Sequence, residues 1–93
     1  LTAMLAAQII SSSIVGTATD ASGAVVPGAS VTAVNSSTGI TRNTVADNSG
    51  AYSFPQLAPG NYRVEVTAQG FKRYEVSEVV LPVGQTVRVD ARL

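Results

Sequence analysis

The sequence contains no cysteine, no histidine and no tryptophan. Without cysteine, neither disulfide bonds nor thiolate metal ligands can supplement the hydrophobic core. Without histidine, the chain lacks the commonest general base near neutral pH and the commonest metal ligand. Nucleophilic hydrolysis needs such a base beside a serine or threonine. The composition therefore argues against nucleophilic hydrolysis. A pair of carboxylates such as Glu75 and Glu78 remains possible in principle, but on a strand these two side chains face opposite sides. We therefore expect a protein that is not an enzyme, with no catalytic residues, no metal site and no cofactor.

Charge is scarce and unevenly distributed. Six lysines and arginines balance six aspartates and glutamates, and Asp20 is the only charged residue before Arg42. A balanced charge argues against a surface that neutralises phosphates, and therefore against nucleic acid as a partner. The small, uncharged side chains of the N-terminal half are typical of secreted or wall-exposed β-domains.

The first segment, residues 1–13, is apolar and differs from the rest of the chain. It is too short to span a bilayer, which takes about 20 apolar residues. One interpretation is the end of a secretory signal, with Ala6 and Ala7 before a cleavage site. The other is an arm that packs on its own domain or completes the sheet of a neighbouring subunit. The side chains of such an assembly arm would be Leu1, Met4, Leu5, Ile9 and Ile10.

After Ser13, apolar and polar side chains alternate with a period of two, which predicts β-strands. The clearest strand is 61–68, whereas the threonine-rich stretch 40–46 has few large apolar groups and suits a sheet edge. About seven strands are separated by turns at intervals of roughly ten residues, as in antiparallel sandwiches. The predicted turn residues are Asp20, Gly23, Pro27, Gly28, Asp47, Gly50, Pro59, Gly60 and Gly70.

This pattern predicts an all-β fold: a seven-stranded antiparallel Greek-key β-sandwich over residues 14–93, preceded by the apolar arm. The strand phase also predicts which side chains point inward. The predicted core residues are Ile14, Val31, Tyr52, Phe54, Leu57, Tyr62, Val64, Val66, Phe71, Val87 and Val89.

Two stretches repeat the pattern Asp-x-Ser-Gly-Ala, one beginning at Asp20 and one at Asp47. An aspartate side chain can accept a hydrogen bond from the backbone N–H two residues on, and glycine supplies a positive φ. Calcium is the alternative, but it takes about six to eight oxygen ligands, and no further acidic residues follow at loop spacing. We therefore expect structural turns.

The tyrosines allow two interpretations. Alternation places the ring of Tyr62 in the core, where the backbone of the nearby turn can accept a hydrogen bond from its hydroxyl. The functional alternative is a platform for stacking sugars, formed by Tyr52, Tyr62 or Tyr74. Alternation favours the core for Tyr62, and Tyr74 is the least determined of the three.

Taken together, segments 13–35, 46–74 and 79–93 resemble carboxypeptidase regulatory-like domains. The resemblance rests on Gly16, Asp20, Gly23, 27–29, Asp47, Gly50, Tyr52, Phe54, Leu57, 59–60, Tyr62 and 70–71. These domains are transthyretin-like (prealbumin-like) sandwiches related to the B-type repeats of collagen adhesins. The sequence of these segments is similar to that of domains at the N-termini of TonB-dependent outer-membrane receptors. The resemblance implies a non-catalytic module in the bacterial outer membrane or periplasm, or outside the cell.

Some adhesin relatives of this family carry an internal isopeptide crosslink between a lysine on an early strand and an acceptor on the last strand. The only lysine here is Lys72, which lies outside the first strand. We therefore expect no crosslink, and stability must come from packing.

Three hypotheses about function follow. The first is an envelope module that binds a protein or a glycan, as the resemblance implies. The second is a self-assembling filament subunit, or another homo-oligomer, in which residues 1–14 are donated as a strand to a neighbour. The third is a carbohydrate-binding module, which only five aromatic residues disfavour.

Overall fold

The computed structural model describes residues 11–93, so the predicted arm contacts of residues 1–10 lie outside the described residues. The described part of the chain forms strands and connecting turns, without a helix, and so holds no helix that could span a membrane. The strands are β1 (Ser12–Thr19), β2 (Ser30–Asn35), β3 (Thr41–Val45), β4 (Ala51–Leu57), β5 (Gly60–Thr67), β6 (Tyr74–Leu81), β7 (Thr86–Arg88) and β8 (Ala91–Arg92).

The strands form two sheets, which confirms the predicted β-sandwich. Sheet 1 has the order β4-β1-β7, with β8 also paired to β1, and sheet 2 has the order β3-β2-β5-β6. The threonine-rich β3 lies at an edge of sheet 2, as its composition indicated. In sheet 2 and between β1 and β4 the pairings are antiparallel.

The last predicted strand departs from the uniformly antiparallel arrangement. It is divided into β7 and β8, and both pair parallel to β1. The ladder is interrupted between them because the N–H of Thr17 donates to the side chain of Asp90, Oδ1, at 3.0 Å. The direction is parallel because the chain crosses from the end of β6 to sheet 1 at the end of the sandwich where β1 begins.

The core lies between the two sheets and follows the alternation of the strands. In β1 every second residue is buried, and in β5 Tyr62, Val64 and Val66 are buried. Of the predicted core residues, nine are buried: Ile14, Val31, Tyr52, Phe54, Leu57, Tyr62, Val64, Val66 and Val89. Val87 is half-buried against this core, because β7 is a three-residue edge strand.

Phe71 is a correction to the predicted core, since its side chain is 40% exposed. Alternation ends with β5, and a turn at residues 69–70 and a bend at Phe71 follow before β6 begins at Tyr74. In this turn the N–H of Phe71 donates to the carbonyl of Ala68 at 3.1 Å, and Gly70 has a φ of +86°. The turn lies beyond the end of the sheet, so its aromatic ring is not enclosed between the layers.

A close approach in the middle of sheet 1 explains why Gly16 occupies a strand interior. A Cβ on Gly16 would overlap the carbonyl oxygen of Val89 and the hydroxyl of Tyr52. The missing side chain leaves room for the buried Tyr52 hydroxyl to donate to the Val89 carbonyl. A glycine inside a strand loses more conformational entropy on folding than other residues do. Its presence here indicates that the hydrogen bond between Tyr52 and Val89 compensates for that cost.

The strand register defines two ends of the sandwich. The Ser12 end contains the pairs Ser12–Leu57 and Gly60–Leu81, and the Leu93 end contains the pair Thr19–Arg92. Strand β1 begins at Ser12, two residues before the first residue of the predicted domain. Residues 12–14 pair within their own sheet, so this part of the proposed donor segment 1–14 is not available to a neighbour.

Candidate functional site

The four strands of sheet 2 present a regular outer surface, which we call the polar face. Its side chains come from the outward positions of all four strands. They are Ser30, Thr32 and Val34 on β2, Thr41, Asn43 and Val45 on β3, Arg63, Glu65 and Thr67 on β5, and Glu75 and Val80 on β6. The inward positions of the same strands build the core, so the alternation that folds the sandwich also creates this face.

Two arginines and two glutamates form a network at the β5–β6 side of the polar face. Glu65 and Glu75 lie directly opposite each other, and like charges in that position destabilise a sheet. Arg63 Nε lies 2.8 Å from Glu65 Oε2 and 3.6 Å from Glu75 Oε2. Arg73 Nη1 lies 3.6 Å from Glu65 Oε1, and its Nη2 lies 3.4 Å from Glu75 Oε1. The two guanidinium groups therefore neutralise both carboxylates.

This network orients side chains more than it stabilises the fold. Surface ion pairs contribute about 0–1 kcal/mol each, because water and salt screen them. The arginine side chains are more exposed than the glutamates they contact. On the β2–β3 side, Thr32 Oγ1 donates to Asn43 Oδ1 at 2.8 Å and fixes that pair as well. The polar face thus presents held polar groups, with guanidinium N–H groups outermost.

Apolar groups lie at the two margins of the polar face. Val45, on the edge strand β3, is 60% exposed, and Val80, on the edge strand β6, is 63% exposed. A β-bulge precedes Val80, where the register of β5 and β6 shifts between Tyr62 and Val64 and Glu78 takes a φ of +58°. The irregular phase of this strand is visible in the sequence, but the outward position of Val80 is not.

The two Asp-x-Ser-Gly stretches form turns, and each aspartate carboxylate accepts hydrogen bonds from residues of its own turn. Asp20 Oδ1 accepts from the Ser22 N–H, the Ser22 hydroxyl and the Ala24 N–H at 2.9, 2.7 and 3.0 Å. The hydrogen bond from the Ser22 hydroxyl is the largest cause that lowers the pKa of Asp20. Within residues 11–93 the structure shows no group of three or more carboxylates, histidines or cysteines that could hold a metal ion.

Two of the three tyrosines lie in the core. Tyr62 is buried and donates from its hydroxyl to the Ala58 carbonyl at 2.6 Å, in the turn that precedes its strand. Tyr52 is also buried, and its ring meets that of Phe54 edge to face, with centroids 6.2 Å apart. Burial, together with the nearby Asp90 charge, raises the pKa of Tyr52 to about 12. Tyr74 is half-buried against the core, so Phe71 is the most exposed ring.

A small cleft opens at the Ser12 end of the sandwich. Its volume is about 110 Å³, and it is lined by Asn35, Thr38, Ile40, Arg42, Leu57, Ala58 and Tyr62. Arg42 reaches across to β4 and donates to the carbonyls of Pro55 and Gln56, which closes one side. Sites for small ligands typically enclose about 300–1,000 Å³, so this cleft suits a few waters better than a substrate.

The remaining turn residues lie where the chain reverses. Pro27 and Gly28 are exposed in the connection before β2, Pro59 lies between β4 and β5, and Gly60 is the first residue of β5. The site features that sequence reasoning missed are Arg73 and Val80. Arg73 lies in the connection before β6 and not in a strand, so alternation gives no indication of its contact with Glu65.

A family model for the carboxypeptidase regulatory-like domain matches residues 13–93 of this chain. The match covers nearly all of the described residues. The chain belongs to the carboxypeptidase regulatory-like domain family. The resemblance inferred from the sequence motifs is therefore confirmed.

A curated relative connects this carboxypeptidase regulatory-like domain to a larger protein. This chain is 36% identical over 85 residues to that relative, the TonB-dependent transporter Oar of Myxococcus xanthus. The alignment takes in 89% of this chain but 8% of the transporter. The chain therefore corresponds to a small part of that relative, and what the whole transporter does is not a finding about the domain.

Solved structures share the fold at low sequence identity. A candidate carbohydrate-binding protein from Bacteroides uniformis matches with a TM-score of 0.71 and 20% identity, over 89% of this chain and 41% of that one. Hydroxyquinol 1,2-dioxygenase from Pseudomonas putida matches with a TM-score of 0.66 and 9% identity, over 89% of this chain and 56% of that one. At such identities the likeness shows the fold alone.

Proposed function

We propose that this domain is a non-catalytic interaction module of a bacterial envelope protein, and that it binds another protein through the polar face. Its family and its similarity to part of a TonB-dependent transporter support the envelope setting. The same two observations favour a regulatory-like module over an enzyme. The domain would work in the outer membrane or periplasm, or at the cell surface.

The observation that carries the binding surface is the neutralised network on the polar face. Arg63, Arg73, Glu65 and Glu75 hold one another in place before any partner arrives. Groups that are already ordered lose less conformational entropy on binding. Since the guanidinium groups are outermost, the partner that fits is a protein surface with carboxylates, seated between the apolar margins Val45 and Val80.

Photo-crosslinking at matched exposed valines tests this proposal. A photoreactive amino acid replaces Val45 or Val80 on the polar face, or Val83, which is 59% exposed in the β6–β7 connection. The full chain is irradiated with envelope proteins from the source organism, and adducts are identified by mass spectrometry. We expect the same polypeptide adduct at Val45 and Val80 and none at Val83.

The outcomes separate the surface from the function. Equal adducts at Val83 would show that the polar face is the wrong surface. A protease-resistant adduct would indicate a glycan or lipid instead of a protein. No adduct at any of the three positions would reject the interaction role itself.

A charge-neutralising pair sharpens the assignment. Combining Arg63→Gln with Arg73→Gln should lower the adduct yield about fivefold or more, which corresponds to roughly 1 kcal/mol of binding free energy. The matched control is Arg88→Gln, because Arg88 also pairs with a carboxylate, that of Asp90, but lies on sheet 1. A similar drop in adduct yield with Arg88→Gln would show that the network of Arg63, Arg73, Glu65 and Glu75 is not part of the binding surface.

Carbohydrate binding is a second candidate, favoured by one observation. Phe71 is exposed in the β5–β6 turn, three residues before the half-buried Tyr74. An exposed ring can stack on a sugar, although a single ring gives little area. A glycan array tests it: binding that disappears in Phe71→Ala supports a sugar site, and an array without signal rejects it.

The filament hypothesis keeps a narrower form. Only residues 1–10 could be donated to a neighbour, since Ser12–Ile14 pair inside the domain. Deletion of residues 1–10 should then convert large assemblies into folded monomers, whereas unchanged particle size in light scattering would reject assembly through this segment. The deletion should spare Ser12, whose hydroxyl donates to the Pro82 carbonyl at 2.6 Å and accepts from the Gly84 N–H at 3.0 Å.

A further inference from the structure

The first and last strands of the domain lie side by side and run in the same direction. Ser13 pairs with Thr86 near the start of β1, and Thr19 pairs with Arg92 at its end. Residues 11 and 93 are therefore at opposite ends of sheet 1, separated by the length of an eight-residue strand. At about 3.3 Å per residue, this separation is roughly 25 Å.

Because β1 and the C-terminal strands are parallel neighbours, the start of β1 and the end of β8 lie at opposite ends of the sheet, and this arrangement determines how the domain resists force. When Ser11 and Leu93 are pulled apart, the force acts along the strands and perpendicular to the hydrogen bonds between them. All of the bonds are then loaded together, in shear. Where force instead acts along the bonds, at one end of a ladder, they break one after another.

We propose that the domain is a load-bearing connector, in which β1 and the C-terminal pair β7–β8 form a shear-loaded junction between residues 11 and 93. This role goes beyond the proposed binding function, because it belongs to sheet 1 and needs no partner. Pulling on the isolated chain tests it, and the result does not depend on whether the polar face binds a protein.

Backbone hydrogen bonds are spread along the whole junction. The N–H of Ser13 donates to the Gln85 carbonyl at 3.0 Å near the Ser12 end. The N–H of Val89 donates to the Val15 carbonyl at 2.8 Å in the middle. The N–H of Leu93 donates to the Thr19 carbonyl at 2.7 Å at the other end. Because bonds occur at both ends and in the middle, no end of the junction is left to open first.

Side chains add a second set of links across the same junction. Asp90 accepts from the Thr17 N–H at 3.0 Å through Oδ1 and from Arg88 Nε at 3.0 Å through Oδ2. Arg88 in turn donates from Nη2 to Thr17 Oγ1 at 3.0 Å. Arg92 donates to the Ala21 carbonyl beyond the end of β1. Apart from the Arg88–Asp90 pair, these contacts connect residues 71 to 73 positions apart in sequence, so they join the C-terminal strands to β1 or to the turn that follows it.

The interior also restrains the C-terminal strand. The buried Tyr52 hydroxyl, on β4, donates to the Val89 carbonyl, so the segment between β7 and β8 is held by β4 as well as by β1. Val89 and Ala91 are buried in the core. Sliding the C-terminal strand along β1 would therefore break backbone bonds, the Asp90 contacts and the packing of two core residues at once.

Single-molecule pulling in two directions tests the proposal. The chain has no cysteine, so two introduced cysteines define the attachment points. The pair Ser11→Cys and Leu93→Cys loads the junction in shear. The pair Ala21→Cys and Leu93→Cys has both handles at the Leu93 end and peels β8 from β1. Both versions share one handle and the same folded domain.

We expect the unfolding force in the shear direction to be about twofold or more that in the peeling direction at the same loading rate, since forced unfolding reports the barrier along the pulled direction. Equal forces in the two directions would overturn the proposal. Circular dichroism of both double-cysteine variants, compared with the unmodified chain, verifies that each is folded before it is pulled.

A pair of aspartate variants tests the side-chain links. Asp90→Ala removes the acceptor for the Thr17 N–H inside the junction, and Asp47→Ala removes an equivalent acceptor for backbone N–H groups in a turn outside it. We expect Asp90→Ala to lower the shear force and to leave the peeling force unchanged, whereas Asp47→Ala changes neither by a comparable amount. A shear force that Asp90→Ala leaves intact would remove the side-chain links from the proposal, and equal losses in both variants would overturn it.

Discussion

The two Asp-x-Ser-Gly turns have the same sequence pattern and nearly the same hydrogen bonds, yet they lie in different surroundings. In the second turn, Asp47 Oδ1 accepts from the Ser49 N–H, the Ser49 hydroxyl and the Ala51 N–H at 2.8, 2.7 and 3.0 Å. These distances match those around Asp20 in the first turn within 0.1 Å. The five-residue pattern is therefore sufficient to set the local geometry.

The glycines of the two turns differ. Both have a positive φ, +91° at Gly23 and +78° at Gly50. A Cβ on Gly23 would meet no atom within 4 Å, whereas a Cβ on Gly50 would lie 2.8 Å from the Ala18 carbonyl oxygen and 3.0 Å from Val25 Cβ. The first turn is on the surface, and the second is packed against β1. Local sequence determines the shape of a turn, and the rest of the fold determines what a change there costs.

The largest expected difference comes from replacing the glycines. Gly50→Ala adds a backbone clash with Ala18 to the strain of a positive φ, so it should cost about 3–5 kcal/mol of unfolding free energy. Gly23→Ala meets only the strain and should cost about 1–2 kcal/mol. Urea denaturation followed by circular dichroism measures both. Equal costs would show that the packing around Gly50 does not matter.

Replacing the aspartates should give a smaller difference in the same direction. Asp47→Ala frees the N–H of Ala51, which begins β4 and pairs with Thr17 in sheet 1. Asp20→Ala frees the N–H of Ala24, next to the single bridge between Thr19 and Val25. We expect both variants to lower the urea midpoint, and Asp47→Ala to lower it more. If Asp20→Ala lowered the urea midpoint more than Asp47→Ala, the size of the loss would not depend on the strand pairing that follows the turn.

Much of the fold follows from local pattern. Alternation places Tyr62, Val64 and Val66 inward, because a strand between two layers must direct every second side chain into the core. The Asp-x-Ser-Gly pattern predicts both turns for the same kind of local reason. Such features need no knowledge of which strands are neighbours.

The features that could not be predicted depend on contacts between distant segments. Phe71 is apolar and close to a strong strand, but it lies past the end of the sheet and is exposed. The parallel pairing of β1 with β7 and β8 joins residues about seventy positions apart, and no local spacing encodes that direction. The network on the polar face needs Arg73, in the connection between β5 and β6, to meet Glu65 on β5. Each case depends on where the chain returns in space.

The smallest expected effect is a pH dependence shared by the two turns. Hydrogen bonds from Ser22 and Ser49 are the largest causes that lower the pKa of Asp20 and of Asp47 below the ordinary value of 3.8. A carboxyl whose pKa is lower in the folded state stabilises the fold above its unfolded pKa. That contribution is lost as the pH falls from about 4 through the lowered folded values.

The double variant Asp20→Asn with Asp47→Asn isolates this contribution. Asparagine keeps a carbonyl oxygen as acceptor but does not titrate, and the remaining carboxylates titrate alike in both proteins. The difference in urea midpoint between the original chain and the double variant should be constant from pH 7 to about pH 5 and should shrink toward pH 2. The single variants should contribute similar shares, because the hydrogen bonds around the two carboxylates match. A difference that stays constant down to pH 2 would show that these turns do not hold their carboxylates ionised, and unequal shares would show that the buried surroundings of Gly50 reach the titrating group.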